Sequence, residues 1–389
     1  MRPPESRLDG KGECEVTRKL PGGLAFLLVL VALTAGLLVA GCGGGDDGEA
    51  EATAPAETGA PAETGAPAET GAPAEEPSGE GISVGLVSDT GGVNDRGFNE
   101  FSINGLEDAE AELGVTGRVY VSNAAEDYLP NLTSACEEGN DLVIAVGFLI
   151  APDTITVAQE CPQVKFAGVD HFYGGDTCAE AGTCEQPNAL GLQYPSEEAG
   201  YLAGIVAAMM SETGTISTVG GIKIPPVDNW IAGFQQGAKD TNPDIELLNA
   251  YSQDFVDQAK CKEIALDQIA QGSDVVFQVA GQCGLGALDA AGQEGVWGIG
   301  VDADQSFAGD QILTSALKPL QTSVYEVIKS AQEGTFQGGQ NLFFSIVDYP
   351  DAQLLAPFND AVPQEVRDAV AEATEKLKSG EIDPPATLE

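Results

Sequence analysis

Hydrophobic positions divide the chain into three regimes. Residues 24–40 form an uncharged, almost wholly apolar run, and residues 43–80 contain no bulky apolar side chain. From residue 81 onward, short apolar runs alternate with longer stretches of mixed character. The runs at 82–88, 119–122, 142–146 and 164–169 read as buried strands, as do those at 215–219, 245–251, 275–279 and 296–301. Residues 98–113 carry apolar side chains at helical spacing. Strands separated by helix-length segments predict parallel sheets with right-handed crossovers. Two such series predict an α/β chain of two doubly wound, Rossmann-like lobes. Ligands of such sheets sit beyond the carboxyl ends of the strands.

Polar and aromatic residues gather at those ends. The first strand runs into Asp89, Asn94, Asp95 and Phe98, with Gly91 and Gly92 permitting a tight turn. The third strand ends in Gly147-Phe148 and the fourth in Asp170. In the second lobe, Gly220-Gly221 follows a strand and Trp230 lies near the start of a helix. Gly281 follows another strand, Asp302 and Asp304 follow the next, and Lys318 ends a later one. Strand-to-helix turns favour Gly and Asp in any protein, but these loops share one sheet edge, which points to a binding site. Gly281-x-x-Gly284-x-Gly286 does not match the dinucleotide fingerprint, and no Gly-Lys-Ser/Thr phosphate loop follows a glycine run.

Charge and composition narrow the chemistry. Seventeen basic residues stand against 61 acidic ones, for a net charge of −44. Such a surface repels nucleic acid. The single histidine, His171, argues against most zinc sites and against Ser-His-Asp triads and Cys-His dyads, which need a well-placed imidazole. Beside Phe172 and Tyr173 it reads as a packed residue. No metal site, cofactor or catalytic nucleophile–base pair is expected.

The apolar run at 24–40 follows Arg18-Lys19 and ends in Val39-Ala40-Gly41-Cys42. A basic flank, an apolar core and small residues before a cut site make a secretory signal over residues 1–41. The polar stretch ahead of it fits a translation start at Val16. Cysteine directly after Ala-Gly resembles the lipobox of bacterial lipoproteins, which implies a diacylated Cys42 as the new N-terminus. The alternative is a single membrane-spanning helix of minimal length. Both place the rest outside the cytoplasm. Residues 42–80 then form an acidic tether, in which the hexapeptide 54–59 recurs at Ala60 and Ala66. Such composition cannot bury a core. Of eight cysteines, Cys14 precedes the signal core and Cys42 is the anchor, leaving six. An even number suits an oxidising compartment. The favoured pairing is local: Cys136–Cys161, Cys178–Cys184 and Cys261–Cys283.

The string Val-Ser-Asp89-Thr-Gly-Gly-Val-Asn-Asp-Arg-Gly-Phe98-Asn resembles the opening of the basic membrane protein family, the purine-nucleoside-receptor type lipoproteins of bacterial ABC importers. The likeness continues through Gly200-Tyr-Leu-Ala-Gly, Gly233-Phe-Gln-Gln-Gly and Gly300-Val-Asp-Ala-Asp-Gln, and covers nearly all of 82–380. It implies a type I periplasmic-binding fold, with a hinge between the lobes and the ligand in the cleft. Lobe 1 is expected at about 81–195 with a return segment near 305–335, and lobe 2 at about 196–304 plus the C-terminal segment. The resemblance further implies that Phe98 stacks on a purine and that Trp230 or Phe277 supplies the second ring. Asp89 and Asp302 then hold ribose, and Asp170 with Asn94 or Asp95 meets the base edge. Gly147, Gly281, Asp304 and Lys318 are further contacts. Gly97 departs from the family, which often has Ser there, and so do Cys261 and Cys283. The implied function is a lipid-anchored, monomeric solute receptor that passes a nucleoside to an ABC permease. A sugar receptor of the same fold and a nucleoside-hydrolysing enzyme are the rival readings.

Overall fold

A computed structural model describes residues 81–174 and 186–388. The leader, Cys42, the tether and the Cys178–Cys184 pair lie outside the described residues. The first sheet is built from β1 (Ser83–Val87), β2 (Thr116–Tyr120), β3 (Leu142–Val146), β4 (Lys165–Val169), β5 (Ala189–Gln193) and β11 (Gln340–Phe343), in the order β11-β5-β4-β3-β1-β2. The second contains β6 (Thr215–Gly220), β7 (Glu246–Tyr251), β8 (Val275–Val279), β9 (Trp297–Asp302) and β10 (Ile312–Leu317), in the order β10-β9-β8-β6-β7. Every strand pair in both sheets is parallel. The order reverses between β1 and β3 and again between β6 and β8, which creates a crevice at each carboxyl edge.

Helices cover the sheets. In lobe 1 these are α1 (Phe98–Leu113), α2 (Tyr128–Glu137) and α3 (Ala151–Glu160). Lobe 2 carries α4 (Ser196–Met210), α5 (Pro225–Thr241), α6 (Gln258–Ala270) and α7 (Gly281–Glu294). Then come α8 (Leu320–Gln332) and α9 (Gln364–Lys378). The apolar face of α9 repeats as Val366, Val370, Ala373 and Leu377, all buried in the second core. Helix α1 stops at Gly114, whose φ of 69° is the left-handed cap that glycine adopts without strain.

The chain crosses between lobes at 194–195, 318–319 and 344–345. Helix α8 buries Leu320, Val324, Val327 and Ile328 in the first core, and β11 pairs with β5. The return to lobe 1 therefore begins at Lys318, not near residue 305. Residues 305–317 stay with lobe 2, because β10 pairs with β9 and Leu313 and Ala316 pack into the second core. The polar string after β9 is a turn within a lobe. Strand β2 also sits earlier than its apolar run suggests, at 116–120, because its edge position leaves alternate residues exposed.

Glycines bring α4 and α5 into direct backbone contact. A Cβ on Gly204 would lie 2.1 Å from the Phe234 carbonyl oxygen, and one on Gly237 would lie 2.0 Å from that of Tyr201. Gly200 and Gly233 make the same kind of approach, at 2.3 Å from Trp230 O and 2.1 Å from Glu197 O. Two disulfides staple helix pairs, Cys136–Cys161 between the ends of α2 and α3 and Cys261–Cys283 between α6 and α7, with Cα separations of 6.5 and 5.6 Å. Gly204→Ala must push α5 away from α4. The expected result is a destabilisation of roughly 1–3 kcal/mol, seen as a lower Tm in a thermal melt; an unchanged Tm would show that the helices do not touch there.

Candidate ligand-binding site

Loops at the carboxyl edges of both sheets converge on one cavity. It is lined from lobe 1 by Asp89, Asp95, Phe98, Phe148 and Asp170, and from lobe 2 by Trp230, Phe255, Gly281, Gln282 and Asp302, with Lys318 on the crossing between them. Its empty volume, counted out to the open mouth, is about 650 Å³.

The four carboxylates have different partners. Asp95 caps helix α1: one oxygen accepts from the backbone N–H of Gly97 at 3.1 Å and Glu100 at 3.0 Å, the other from Asn99 at 2.9 Å. Its acceptors are spent on holding the helix that carries Phe98. Asp170 is gripped by Lys318, whose Nζ lies 2.7 and 2.6 Å from the two carboxylate oxygens. The pair is buried, with side-chain exposures of 2% for Lys318 and 9% for Asp170. Asp89 Oδ1 accepts from the Tyr128 hydroxyl and from the Thr90 N–H at 2.7 Å, while Oδ2 takes no hydrogen bond from the described residues. The Asp302 side chain accepts none from the described residues. Burial pushes Asp89 up to about 6, against the lowering effect of those hydrogen bonds. Burial raises Asp302 to about 7, with the Lys318 charge pulling the other way.

The backbone aims these groups. Asp170 and Asp302 have φ of 63° and 65°, a left-handed conformation uncommon outside glycine. Each ends the fourth strand of its lobe, in the strings Gly168-Val169-Asp170 and Gly300-Val301-Asp302. That short internal repeat is a signal in the sequence that the lobes are equivalent halves. Gly147, with φ of 106°, leaves room for Asp89: a Cβ there would meet Asp89 Oδ2 at 2.2 Å. Gly147 thus shapes the site without lining it. His171 Nε2 donates to the Gly147 carbonyl at 2.8 Å, and burial holds the imidazole down at about 4, hence neutral. It is a packing residue.

Besides Gly147, three candidates fall outside the cavity lining. Asn94 is exposed, because the turn before α1 directs Asp95 inward in its place. Asp304 is exposed and caps the short helical turn that follows it, accepting from the Ser306 N–H at 2.9 Å. Phe277 is fully buried and stacks on Phe234 with ring centroids 5.1 Å apart. It lies two residues below Val279 on the same face of β8, one layer deeper than the cavity wall. Trp230 does line the cavity, edge-on to Phe277 at 6.4 Å. Phe148, at the end of the third strand, lines the cavity as well, and so does Phe255, which the sequence reading does not place there. Phe255 follows β7, whose carboxyl end carries the polar turn Ser252-Gln253-Asp254. Scanning the end of that strand like the others would have found it.

Two doubly wound lobes joined by three crossings, with a cavity lined from both, define a solute-binding protein of the kind that serves ABC transporters. The family model described as "ABC transporter substrate-binding protein PnrA-like" matches residues 82–352, and the chain belongs to this family, that of the basic membrane proteins. The family is one of substrate-binding proteins, not of enzymes. It is 31% identical over 328 residues to the "ABC transporter nucleoside-binding protein BmpA" of Lactococcus lactis subsp. cremoris, covering 78% of this chain and 89% of that one. It is 30% identical over 330 residues to the "CD4+ T-cell-stimulating antigen" of Listeria monocytogenes, covering 79% and 89%. Among solved structures, an ABC transporter solute-binding protein from Aeropyrum pernix K1 superposes with a TM-score of 0.67 at 26% identity, covering 79% of this chain and 94% of that one. One from Conexibacter woesei gives 0.63, also at 26% identity, covering 79% and 100%.

Two substitutions test the electrostatics. Lys318→Met leaves Asp170 buried without its counter-charge and is expected to destabilise the fold by roughly 3–5 kcal/mol in denaturant titration. Asp302→Asn has the opposite sign. A carboxyl raised from 3.8 to about 7 by burial contributes stability below pH 4 that is lost as pH rises through 7. Removing the charge is expected to raise the ligand-free Tm by an amount that grows from pH 4 to pH 7 and then levels off. A pH-independent difference would show that Asp302 does not titrate in this range.

Proposed function

We propose that this protein captures a purine nucleoside in the interlobe cleft and delivers it to an ABC permease from a lipid anchor at Cys42. The carrying observation is the pairing of two chemistries in one cavity. Phe98 and Phe148 from lobe 1, with Trp230 and Phe255 from lobe 2, present aromatic surface for a flat ligand. Asp89 Oδ2 and the Asp302 carboxylate present acceptors that no group among the described residues satisfies. Vicinal hydroxyls donate to ionised carboxylates through charge-assisted hydrogen bonds, the stronger class. A base between rings adds roughly 1–3 kcal/mol of stacking. With three further carboxylates beside Asp302 and one ammonium already committed to Asp170, the cavity disfavours phosphate, so the free nucleoside fits better than a nucleotide. Closure of the lobes about the crossings then makes the form that a permease recognises. The name of the Lactococcus lactis relative agrees with this reading.

Adenosine, guanosine and inosine are expected to raise the Tm of the 81–389 domain, by about 4 kcal/mol in stability at 1,000 times Kd, whereas ribose is not. A sugar that stabilises where no nucleoside does would replace the ligand class. Phe98→Ala or Phe255→Ala is expected to weaken binding by roughly 1–3 kcal/mol. Because binding requires ionised Asp89 and Asp302, with values of about 6 and 7 in the free protein, Kd is expected to rise as pH falls from 8 to 5. The slope approaches about tenfold per pH unit for each carboxyl that must lose its proton. In cells, Cys42→Ala is expected to abolish labelling by radioactive fatty acid; retained label would move the anchor elsewhere.

A further inference from the structure

The two described disulfides occupy different places. Cys136–Cys161 joins α2 to α3 in lobe 1, among residues that do not line the cavity. Cys261–Cys283 joins the first turn of α6 to the first turn of α7, and both helices begin at the cavity edge. Gly281 and Gln282 open α7 and line the cavity, and Phe255 stands three residues before α6. Both cysteines are fully buried.

Phe255 sits in a loop with little regular structure of its own. Asp254 folds the loop by accepting from the N–H groups of Val256 at 2.8 Å and Asp257 at 2.9 Å. The ring rests over Gly221, where a Cβ would come within 2.3 Å of it. The carbonyl of Phe255 accepts from the N–H of Cys283 at 2.9 Å. Cys283 therefore holds this loop twice: through its backbone to Phe255, and through its sulfur to Cys261. The segment 255–261 is closed into a small ring, shut by a disulfide at one end and a hydrogen bond at the other.

We infer that Cys261–Cys283 is a positioning disulfide for the ligand-facing ring of Phe255. It fixes the ring before ligand arrives, so that its ordering is not charged against binding. The inference rests on the proposed function insofar as it needs a flat ligand that meets Phe255. Immobilising one loose side chain and its loop is worth about three- to tenfold in affinity.

The test compares nucleoside affinity, by calorimetry with inosine and adenosine, across cysteine-pair variants of the full exported domain. C261A/C283A is expected to weaken binding about three- to tenfold, and C136A/C161A to leave it within twofold. In the C261A/C283A background, F255A is expected to cost clearly less than in the intact protein, because the ring is no longer held. A Kd within twofold of the intact protein, equal losses from both pairs, or an undiminished F255A effect would each overturn the inference. C261A/C283V refills the buried space and serves where the first variant does not fold. Hydrogen exchange on the intact, ligand-free protein supplies an arm that needs no variant. The Cys283 amide is expected to exchange as slowly as the core strands, and fast exchange also overturns the inference. An intact protein that binds neither nucleoside refutes the proposed function, and leaves the exchange result to decide whether the loop is held.

Discussion

The buried pair of Lys318 and Asp170 is the constraint on which the cleft depends. Two charges taken out of water are costly, and their attraction offsets that cost only where the geometry is good and the remaining surface is satisfied. Here both oxygens of Asp170 meet one ammonium. That ammonium also lies 5.1 Å from the centre of the Phe98 ring and 4.7 Å from that of Tyr194. Lys318 stands on a crossing segment, and its backbone N–H donates to the carbonyl of Asp302 at 2.9 Å. One residue thus ties the tip of β4 in lobe 1 to the tip of β9 in lobe 2. The joint between the lobes and the electrostatics of the cavity are the same object.

The crossings are bound to one another by the same group of residues. Tyr194, on the first crossing, stacks on Phe344 of the third at 5.6 Å, and Phe344 stacks on Tyr349 at 5.0 Å. The Tyr194 hydroxyl bonds Ser323 of α8 at 2.6 Å. Lys318 over the Tyr194 ring brings the second crossing into this stack. A change in the cleft that moves Lys318 therefore reaches all the crossing segments. Under the proposed function, this is the route by which ligand capture would reach the segments that join the lobes.

Four aspartates at the carboxyl edges of the two sheets look alike in sequence and do different work. Asp95 is a helix cap, Asp170 half of an ion pair, Asp89 partly committed, and Asp302 uncommitted. The difference lies in which donors the backbone brings within 3 Å, and linear order does not encode that. Asn94 and Asp95 show this most plainly: neighbours in sequence, one exposed and one buried. Phe277 illustrates a second limit. Hydrophobicity identified it as a strand residue, but its depth depends on how far below the strand tip it lies and what packs above it. Phe255 shows the converse: its place just after β7 is legible in the sequence, but its packing against Gly221 and Cys283 exists only in the folded lobe.

The sequence by itself determined the alternation of strands and helices, and with it the two doubly wound lobes and the edge where a ligand must sit. Short-range pattern suffices for these, because strand and helix periodicity are local and parallel crossovers have one hand. It also pointed to the Cys136–Cys161 and Cys261–Cys283 pairs, since the first joins the helices flanking one strand and the second a helix to the residues just after the next strand. The tertiary structure decided where the chain returns to lobe 1, which carboxylates remain free, and which aromatic residues face the cavity. Those outcomes depend on contacts between residues far apart in sequence. The Asp170–Lys318 pair spans 148 positions, and no local pattern carries the distance between its partners.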